Sequence, residues 1–555
     1  MSDRGGSPHA KRDDPNALLD ARSDPAGSAF GTVGTEASSD LNWFLLLRHR
    51  VRRRALGSSR YEWWVLWSLL AGLLSLNFTF TVFNIVLNRL SDEFHTPKTN
   101  LTWIVIGPLL AYGLVAPVFG KLGDLFGHRR LYLFGLSLAA LSAVATALAP
   151  NLILLILART LDGIGGAASG AASGALLNLV FRPEERVKAM GWWSLVGAGG
   201  PVLGVSLGSP IISAFGWRTL FWVQLVLILC ALAVVAVVLP HNRGTADEEL
   251  IRKQEARGNF RKMDWIGSWT LSGAVAAFML GLTMAVHVGW FGWQCNTAWL
   301  LTVGFVGAFI HRIRTAENPL IPVHYFKRRN FVLPMVVRVT AQYAYFCGFF
   351  LFPLLYQDGY GKSLLDAGGV TIARPIVFAL CSPIAGYVAI KIGERFSVFA
   401  GTLFLFSSMV AFVLLTPSTG LWFILLALGL SGLGMGVAMP STSSIMANEV
   451  DPSEFGVMSA AQMLAMQIGQ VAGVQISLTI QQILVRNRGL GALEKAVSSR
   501  SGTGPVEPGL LATYRLPFII GGAMGLVAVV CSYFLRSVPR DPLRRDLAKA
   551  QDHTL

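Results

Sequence analysis

Gly120-Lys121-Leu122-Gly123-Asp124-Leu125-Phe126-Gly127-His128-Arg129-Arg130 is a short charged stretch between two long apolar runs, 102–119 and 131–149. Lys121, Arg129 and Arg130 mark the inner face of a membrane, because short loops rich in Lys and Arg stay in the cytoplasm. Gly123 and Gly127 allow a tight turn and a close approach of backbones. Asp124 and the neighbouring cations can then tie helix ends together. The stretch therefore predicts a cytoplasmic connection between two spanning helices, with Gly120, Asp124, Gly127, Arg129 and Arg130 as a candidate gate.

Composition points the same way. The chain has 555 residues, 53% apolar and only 14% charged, with a mean hydropathy of +0.54. Soluble domains carry roughly 25% charged residues, so the class is a polytopic helical membrane protein. The net charge of +15 raises nucleic acid as a partner. The positive residues sit in short loops beside apolar runs, however, which is the signature of membrane topology and not of a nucleic-acid surface. Cys230, Cys347, Cys381 and Cys531 lie inside apolar runs, and Cys295 stands apart. Their spacing suggests neither a disulfide framework nor a metal site.

Residues 1–40 are polar, Pro- and Gly-containing and without periodicity, and predict a disordered cytoplasmic tail. No cleavable signal peptide is expected, since the first long apolar run begins near Trp63 behind a charged leader. Segment 41–60 sets Leu41, Trp43, Phe44 and Leu45 to Leu47 before Arg48, Arg50 and Arg52 to Arg54. That pattern suits either an interfacial segment drawn to anionic lipid or a plain topology stop.

A spanning helix needs roughly 20 apolar residues. Fourteen runs are candidates: 63–87, 102–119, 131–149, 152–180, 190–214, 219–239, 265–288, 298–312, 331–355, 367–389, 396–415, 421–446, 459–484 and 516–535. The eighth is the shortest. An even count puts both termini on one side, together with the basic loops 120–130, 181–189, 240–264, 313–330, 390–395 and 536–555. Loop 447–458 falls on that side yet is acidic, and acids weigh little in the rule. Segment 485–515, on the opposite side, carries Arg486, Arg488, Lys495, Arg500 and Arg515; it is a mild conflict.

The gate stretch recurs. Gly386 and Gly393 repeat the spacing of Gly120 and Gly127, and Arg395 follows Gly386 as Arg129 follows Gly120. Ile390 stands where the first copy has Asp124. An internal repeat of this kind marks many transporter folds.

The first copy resembles motif A of the major facilitator superfamily. Leu157-Ala158-Arg159-Thr160-Leu161-Asp162-Gly163-Ile164-Gly165 resembles motif B on the fourth helix. Gly200-Pro201-Val202-Leu203-Gly204 on the fifth resembles motif C, the antiporter signature, and Trp217, Arg218 and Phe221 resemble the W-R-x-x-F step after it. With fourteen runs, the chain resembles the fourteen-helix drug:proton antiporter subfamily over residues 63–535. The resemblance implies an all-α fold of two six-helix bundles plus an inserted helix pair. It implies a six-helix bundle at 61–240, the pair and its cytoplasmic linkers at 241–330, a second bundle at 331–536 and a cytoplasmic tail at 537–555.

Glycines recur every fourth residue at Gly166, Gly170 and Gly174 on the fourth helix, and at Gly200, Gly204 and Gly208 on the fifth. Such stripes let helices pack closely in lipid, and Pro201 can kink its helix. A tight glycine-faced helix limits leak; packing alone is the second reading.

Two departures from the family pattern bear on mechanism. The family sets an Asp in the first helix, in D-x-T-I-V-N-V-A-L-P. The matching stretch here runs from Thr79 to Asn88, with Thr79 at the Asp position. Motif B, conversely, has Gln where this chain has Asp162. Asp162 is the acid well inside an expected span, and an ionisable group at that depth is costly enough to suggest function. Arg159, three residues earlier, shares its face. Asp162 and Arg159 are therefore candidates for proton coupling, with a permanent structural ion pair as the alternative.

Polar faces outline a candidate substrate cavity. Asn77, Thr81, Asn84 and Asn88 share a face of the first helix, and Arg338, Gln342 and Tyr345 a face of the ninth. Arg374 lies inside the tenth helix, and Gln467 and Gln470 face together on the thirteenth. Polar faces turn away from lipid, and in the superfamily the equivalents of helices one, four and nine line the central path. Each Arg lies about two turns from a helix end, so snorkelling to the interface is a second reading.

The expected function is proton-coupled export of an amphiphilic small molecule by alternating access, in the plasma (inner) membrane. Protons, membrane lipid and the small-molecule substrate are the expected partners, the protein is expected to act as a monomer, and no cofactor or metal is expected. No enzyme chemistry is expected, and no phosphate-binding loop for direct ATP drive is seen in the sequence. The alternatives are an exporter or flippase of an anionic or lipid-like amphiphile, which Arg338 and Arg374 would suit, and a non-transporting sensor or assembly partner.

Overall fold

A computed structural model describes residues 61–79, 90, 93–96, 101, 103–239, 264–288, 292–316, 319, 321–362, 364–491, 493 and 507–536. The tails, segment 41–60, Thr81, Asn84 and Asn88 lie outside the described residues.

Each apolar run carries a helix. The first six are α1 Tyr61–Asn77, α2 Trp103–Phe126, α3 His128–Ala147, α4 Leu152–Val180, α5 Arg186–Phe215 and α6 Trp217–Val238. Then come α7 Trp265–Val288 and α8 Trp293–Thr315. The last six are α9 Arg329–Asp358, α10 Ala373–Ile392, α11 Glu394–Val413, α12 Leu421–Ala447, α13 Phe455–Asn487 and α14 Arg515–Tyr533. Among the described residues, 11 helices are long and apolar enough to cross a membrane.

Two helices differ from expectation for local reasons. The run expected over 367–389 is split: a short helix Leu364–Thr371 precedes α10, and Ile372 joins them. Pro375 lacks the N–H that would bond back to Thr371, so the ladder is interrupted there. The eighth helix, expected to be short, extends over 23 residues, because Gln294, Asn296 and Thr297 continue the helix beyond its apolar centre.

Packing sorts the helices. α1 packs on α5 and α6, α4 on α2 and α3, and α3 on α6. In the last six, α9 packs on α13 and α14, α12 on α10 and α11, and α11 on α14. The two sets meet where α2 and α4 pack on α13 and where α5 packs on α10 and α12. α7 and α8 pair with each other, and α7 also lies against α2 and α13. At the foot of this pair Asp264 accepts from Gly267 N–H at 2.9 Å, capping α7, and holds Arg312 of α8 at 2.8 Å.

The distribution of polarity is that of a protein in lipid. Leu300 and Val303 on α8 are 74% and 71% exposed, while Ser169, Ser173 and Gln224 are buried. In hydrocarbon, polar groups gain by turning inward and apolar side chains lose nothing by facing out.

The acidic loop after α12 has local partners. Arg328 donates to the Glu449 carbonyl, Asn330 donates to Glu449 Oε1 at 2.9 Å, and Tyr325 O–H lies 3.5 Å from Asp451 Oδ2. These acids anchor the linker that leads into α9.

Candidate functional site

The repeat seen in the sequence is a repeat in space. Gly127 joins α2 to α3 with φ 95°, and Gly393 joins α10 to α11 with φ 97°. Both occupy backbone that L side chains rarely adopt. A Cβ on Gly120 would lie 2.6 Å from Ala460 Cβ and 2.7 Å from the Gly456 carbonyl oxygen on α13. A Cβ on Gly386 would lie 2.7 Å from the Val187 carbonyl oxygen on α5. The first glycine of each copy thus seats its helix on the opposite set.

Arg129 and Arg395 each make a hydrogen bond within their own set. Arg129 donates to the Ala236 carbonyl at 2.9 Å, and Arg395 to the Tyr533 carbonyl at 2.7 Å. Each approaches the carbonyl end of the sixth helix of its set, where a cation is favoured by the helix dipole. Arg130 is exposed.

Asp124 does reach across. Its Oδ1 accepts from Gly456 N–H at 2.7 Å, and its Oδ2 from Val457 N–H at 3.0 Å. Those N–H groups open α13 and have no partner inside the helix, so a carboxylate there is both hydrogen-bonded and favoured by the dipole. His128 Nε2 stands 3.3 Å from the same carboxylate. Arg186, not singled out from the sequence, bridges beside it. Its guanidinium donates to the Asn178 carbonyl at 3.0 Å on α4 and to Asn448 Oδ1 at 3.1 Å at the end of α12, and it lies 5.0 Å from the centre of the Phe455 ring. In the second copy, Ile390 offers no carboxylate. The contact is one-sided.

Among Gly200, Pro201 and Gly204, the glycines seat α1. A Cβ on Gly200 would meet Asn77 Cβ at 2.7 Å, and one on Gly204 would lie 1.8 Å from the Phe78 carbonyl oxygen. Asn77 is turned back, donating to the Leu73 carbonyl at 2.9 Å. Gly204→Ala is expected to lower stability by about 3 kcal/mol or more, since backbone cannot yield as a side chain can. Gly197, with open space where a Cβ would stand, provides the control: Gly197→Ala should be close to neutral. Thermal unfolding of the two purified variants checks the contrast. Nearby, Trp217 donates to Glu93 Oε2 at 2.8 Å, and Arg218 pairs with Glu93 and donates to the Ala149 carbonyl at 3.1 Å. The W-R step thus staples three connections at the end of the first set opposite the gate stretch.

Arg159 and Asp162 form an ion pair at 2.9 Å on α4. The Arg159 guanidinium lies 5.8 Å from the centre of the Phe221 ring of α6. Thr79, at the family's acidic position, is buried, and its hydroxyl has no partner.

The second set holds two buried cations. Arg338 on α9 donates to Ser443 Oγ at 2.6 Å, which donates onward to Gln462 Oε1 at 3.0 Å. Arg374 on α10 is 0% exposed. It donates to Ser431, covers the Tyr345 ring at 4.2 Å, and fits only because Gly348 leaves room: a Cβ there would lie 3.0 Å from Nη1. Among the described residues its Nε and Nη1 have no acceptor. Gln342, Gln467 and Gln470 are buried between α9 and α13, which approach closely at Gly469, where a Cβ would lie 2.2 Å from the Val339 carbonyl oxygen. Of the residues expected around one cavity, Arg374 and Tyr345 pack together with Ser431, and Arg338 lies in a separate network with Ser443 and Gln462. The serines and Gln462 carry no sequence signal of their own. Among the described residues no cluster of His, Cys, Asp and Glu is arranged to hold a metal.

Comparison with known proteins places these features. The family model described as Major Facilitator Superfamily matches residues 67–474. The tetracenomycin C resistance and export protein of Streptomyces glaucescens is 25% identical over 521 residues, covering 86% of this chain and 92% of that protein. The methylenomycin A resistance protein of Streptomyces coelicolor is 27% identical over 413 residues, covering 73% and 83%. Among solved structures, the proton:xylose symporter XylE superposes with a TM-score of 0.59 at 15% identity, covering 86% of this chain and 97% of that one.

Proposed function

Because the chain belongs to the major facilitator superfamily, we propose that it is a proton-coupled exporter of an anionic amphiphilic small molecule, working by alternating access in the plasma membrane. It is a multi-pass membrane transporter and not an enzyme, and its relatives named for antibiotic resistance favour outward transport. The fourteen helices would all span, with both termini on the basic side. Asp124 would latch that side shut, and Asp162 with Arg159 would carry the proton. Drug export in general needs no particular charge on the substrate; this chain supplies a reason for one.

The observation that carries the anionic preference is Arg374. A guanidinium in a hydrocarbon-depth core without a carboxylate is costly. Two of its nitrogens have no acceptor, and a buried donor without a partner retains its full desolvation cost. Arg338 adds a second cation, held by neutral groups alone. Rocking that opens the second set toward the centre would let an anionic group satisfy these donors, while a cation would be repelled.

Matched anionic and cationic dyes of equal size test the charge preference by equilibrium binding to the purified protein. The anionic dye is expected to bind at least tenfold more tightly. Arg338→Ala should reduce its affinity by about ten- to a hundredfold, the range for a hydrogen bond to a charged group. Cation binding as tight as that of the anion, and unchanged in Arg338→Ala, would remove the anionic assignment.

A further inference from the structure

At one end of the second set, the start of α9, the start of α11 and the end of α14 border an open pocket of about 410 Å³. It is lined by Arg329, Arg395, Tyr533, Phe534, Leu535 and Arg536. We propose that this pocket binds the phosphate of an anionic phospholipid headgroup.

Three arginines line it, and no carboxylate is among the lining residues. Of the acids near it along the chain, Glu394 accepts from Ser444 of α12 at 2.6 Å, and Glu449 accepts from Asn330 at 2.9 Å. The walls are fixed by hydrogen bonds. Arg536 N–H donates to Asn330 Oδ1 at 3.0 Å, and Asn330 donates back to the Arg536 carbonyl at 3.4 Å. Leu535 is buried and roots the end of α14. Arg395 lies 5.7 Å from the centre of the Tyr533 ring and Arg329 5.3 Å from that of Phe534. The planar guanidinium groups of Arg329 and Arg395 are thereby held against the pocket wall. Arginine matches phosphate with paired, charge-assisted hydrogen bonds.

The surroundings argue for a lipid source over free phosphate. Tyr533 is 59% exposed and Phe534 49%. Exposed aromatic rings at the end of an apolar helix sit at headgroup depth in a bilayer. The pocket also opens on the side of the basic loops, where anionic lipids concentrate in cells. A headgroup entering from the bilayer would meet cations above and aromatic faces beside its glycerol.

The test uses the full-length protein in neutral detergent, with Kd measured for dioctanoyl phosphatidylglycerol, dioctanoyl phosphatidylcholine and inorganic phosphate. Phosphatidylglycerol is expected to bind at least tenfold more tightly than phosphatidylcholine, with inorganic phosphate weaker still. Each arginine near an anionic lipid surface is worth about fivefold in affinity. The triple variant Arg329→Gln, Arg395→Gln, Arg536→Gln should therefore lose on the order of a hundredfold. Arg329→Gln alone should lose about fivefold, and among the described residues the Arg329 side chain contacts the Phe534 ring without a hydrogen bond. Equal binding of the two lipids, or unchanged phosphatidylglycerol binding in Arg329→Gln, would overturn the proposal. Inorganic phosphate binding as tightly as phosphatidylglycerol would overturn the lipid assignment and leave a site for a soluble anion.

Discussion

Asp162→Asn is expected to abolish uphill transport driven by a pH gradient while leaving exchange of substrate down its own gradient. The reasoning rests on the 2.9 Å pair with Arg159. Burial disfavours a lone carboxylate, whereas a guanidinium in contact favours it. A conformational change that parts the two groups would let the site take up a proton, and one that rejoins them would expel it. Asn keeps the volume and removes the titration. Proteoliposomes with an imposed pH gradient give the first readout, and counterflow in the absence of a gradient the second. Undiminished pH-driven accumulation would show that the proton passes elsewhere, and a permanent ion pair would then be the role of Arg159 and Asp162.

Asp124→Asn should slow transport by tenfold or more without unfolding the protein. The carboxylate accepts the Gly456 and Val457 N–H groups across the seam between α2 and α13. Hydrogen bonds to a charged group are worth about 1.5–3 kcal/mol. Weakening them by about 2 kcal/mol moves a two-state equilibrium by roughly thirtyfold toward the state open on the basic side. Cysteine labelling on the two sides of the purified protein reads that population, and initial export rates read the consequence. Normal rates with an unchanged labelling pattern would rule out a latch at this position.

The parts of this architecture fixed by local chemistry were legible. Gly127 and Gly393 occupy backbone that strongly favours glycine, so their matched spacing could be read directly. Apolar length located the helices, and the departure at Pro375 follows from the chemistry of proline. What was not legible depends on distant partners. Asp124 caps a helix 332 residues away in the chain, and nothing near it in sequence announces which helix. Arg186 looks like one more basic loop residue until its partners at Asn178 and Asn448 come together. The two arginines of the second set were visible as cations at depth, but the neutral serines beneath them, Ser431 and Ser443, look like any others in a glycine-rich helix.

The pair α7–α8 sits at only one of the two seams. α7 touches α2 from the first set and α13 from the second, while the other seam, α5 against α10 and α12, has no such cover from it. A strap along one edge has to give when that edge parts. If the Asp124 contacts break on opening, α7 has to leave either α2 or α13, whereas a gap between α5 and α10 would leave both of its contacts untouched.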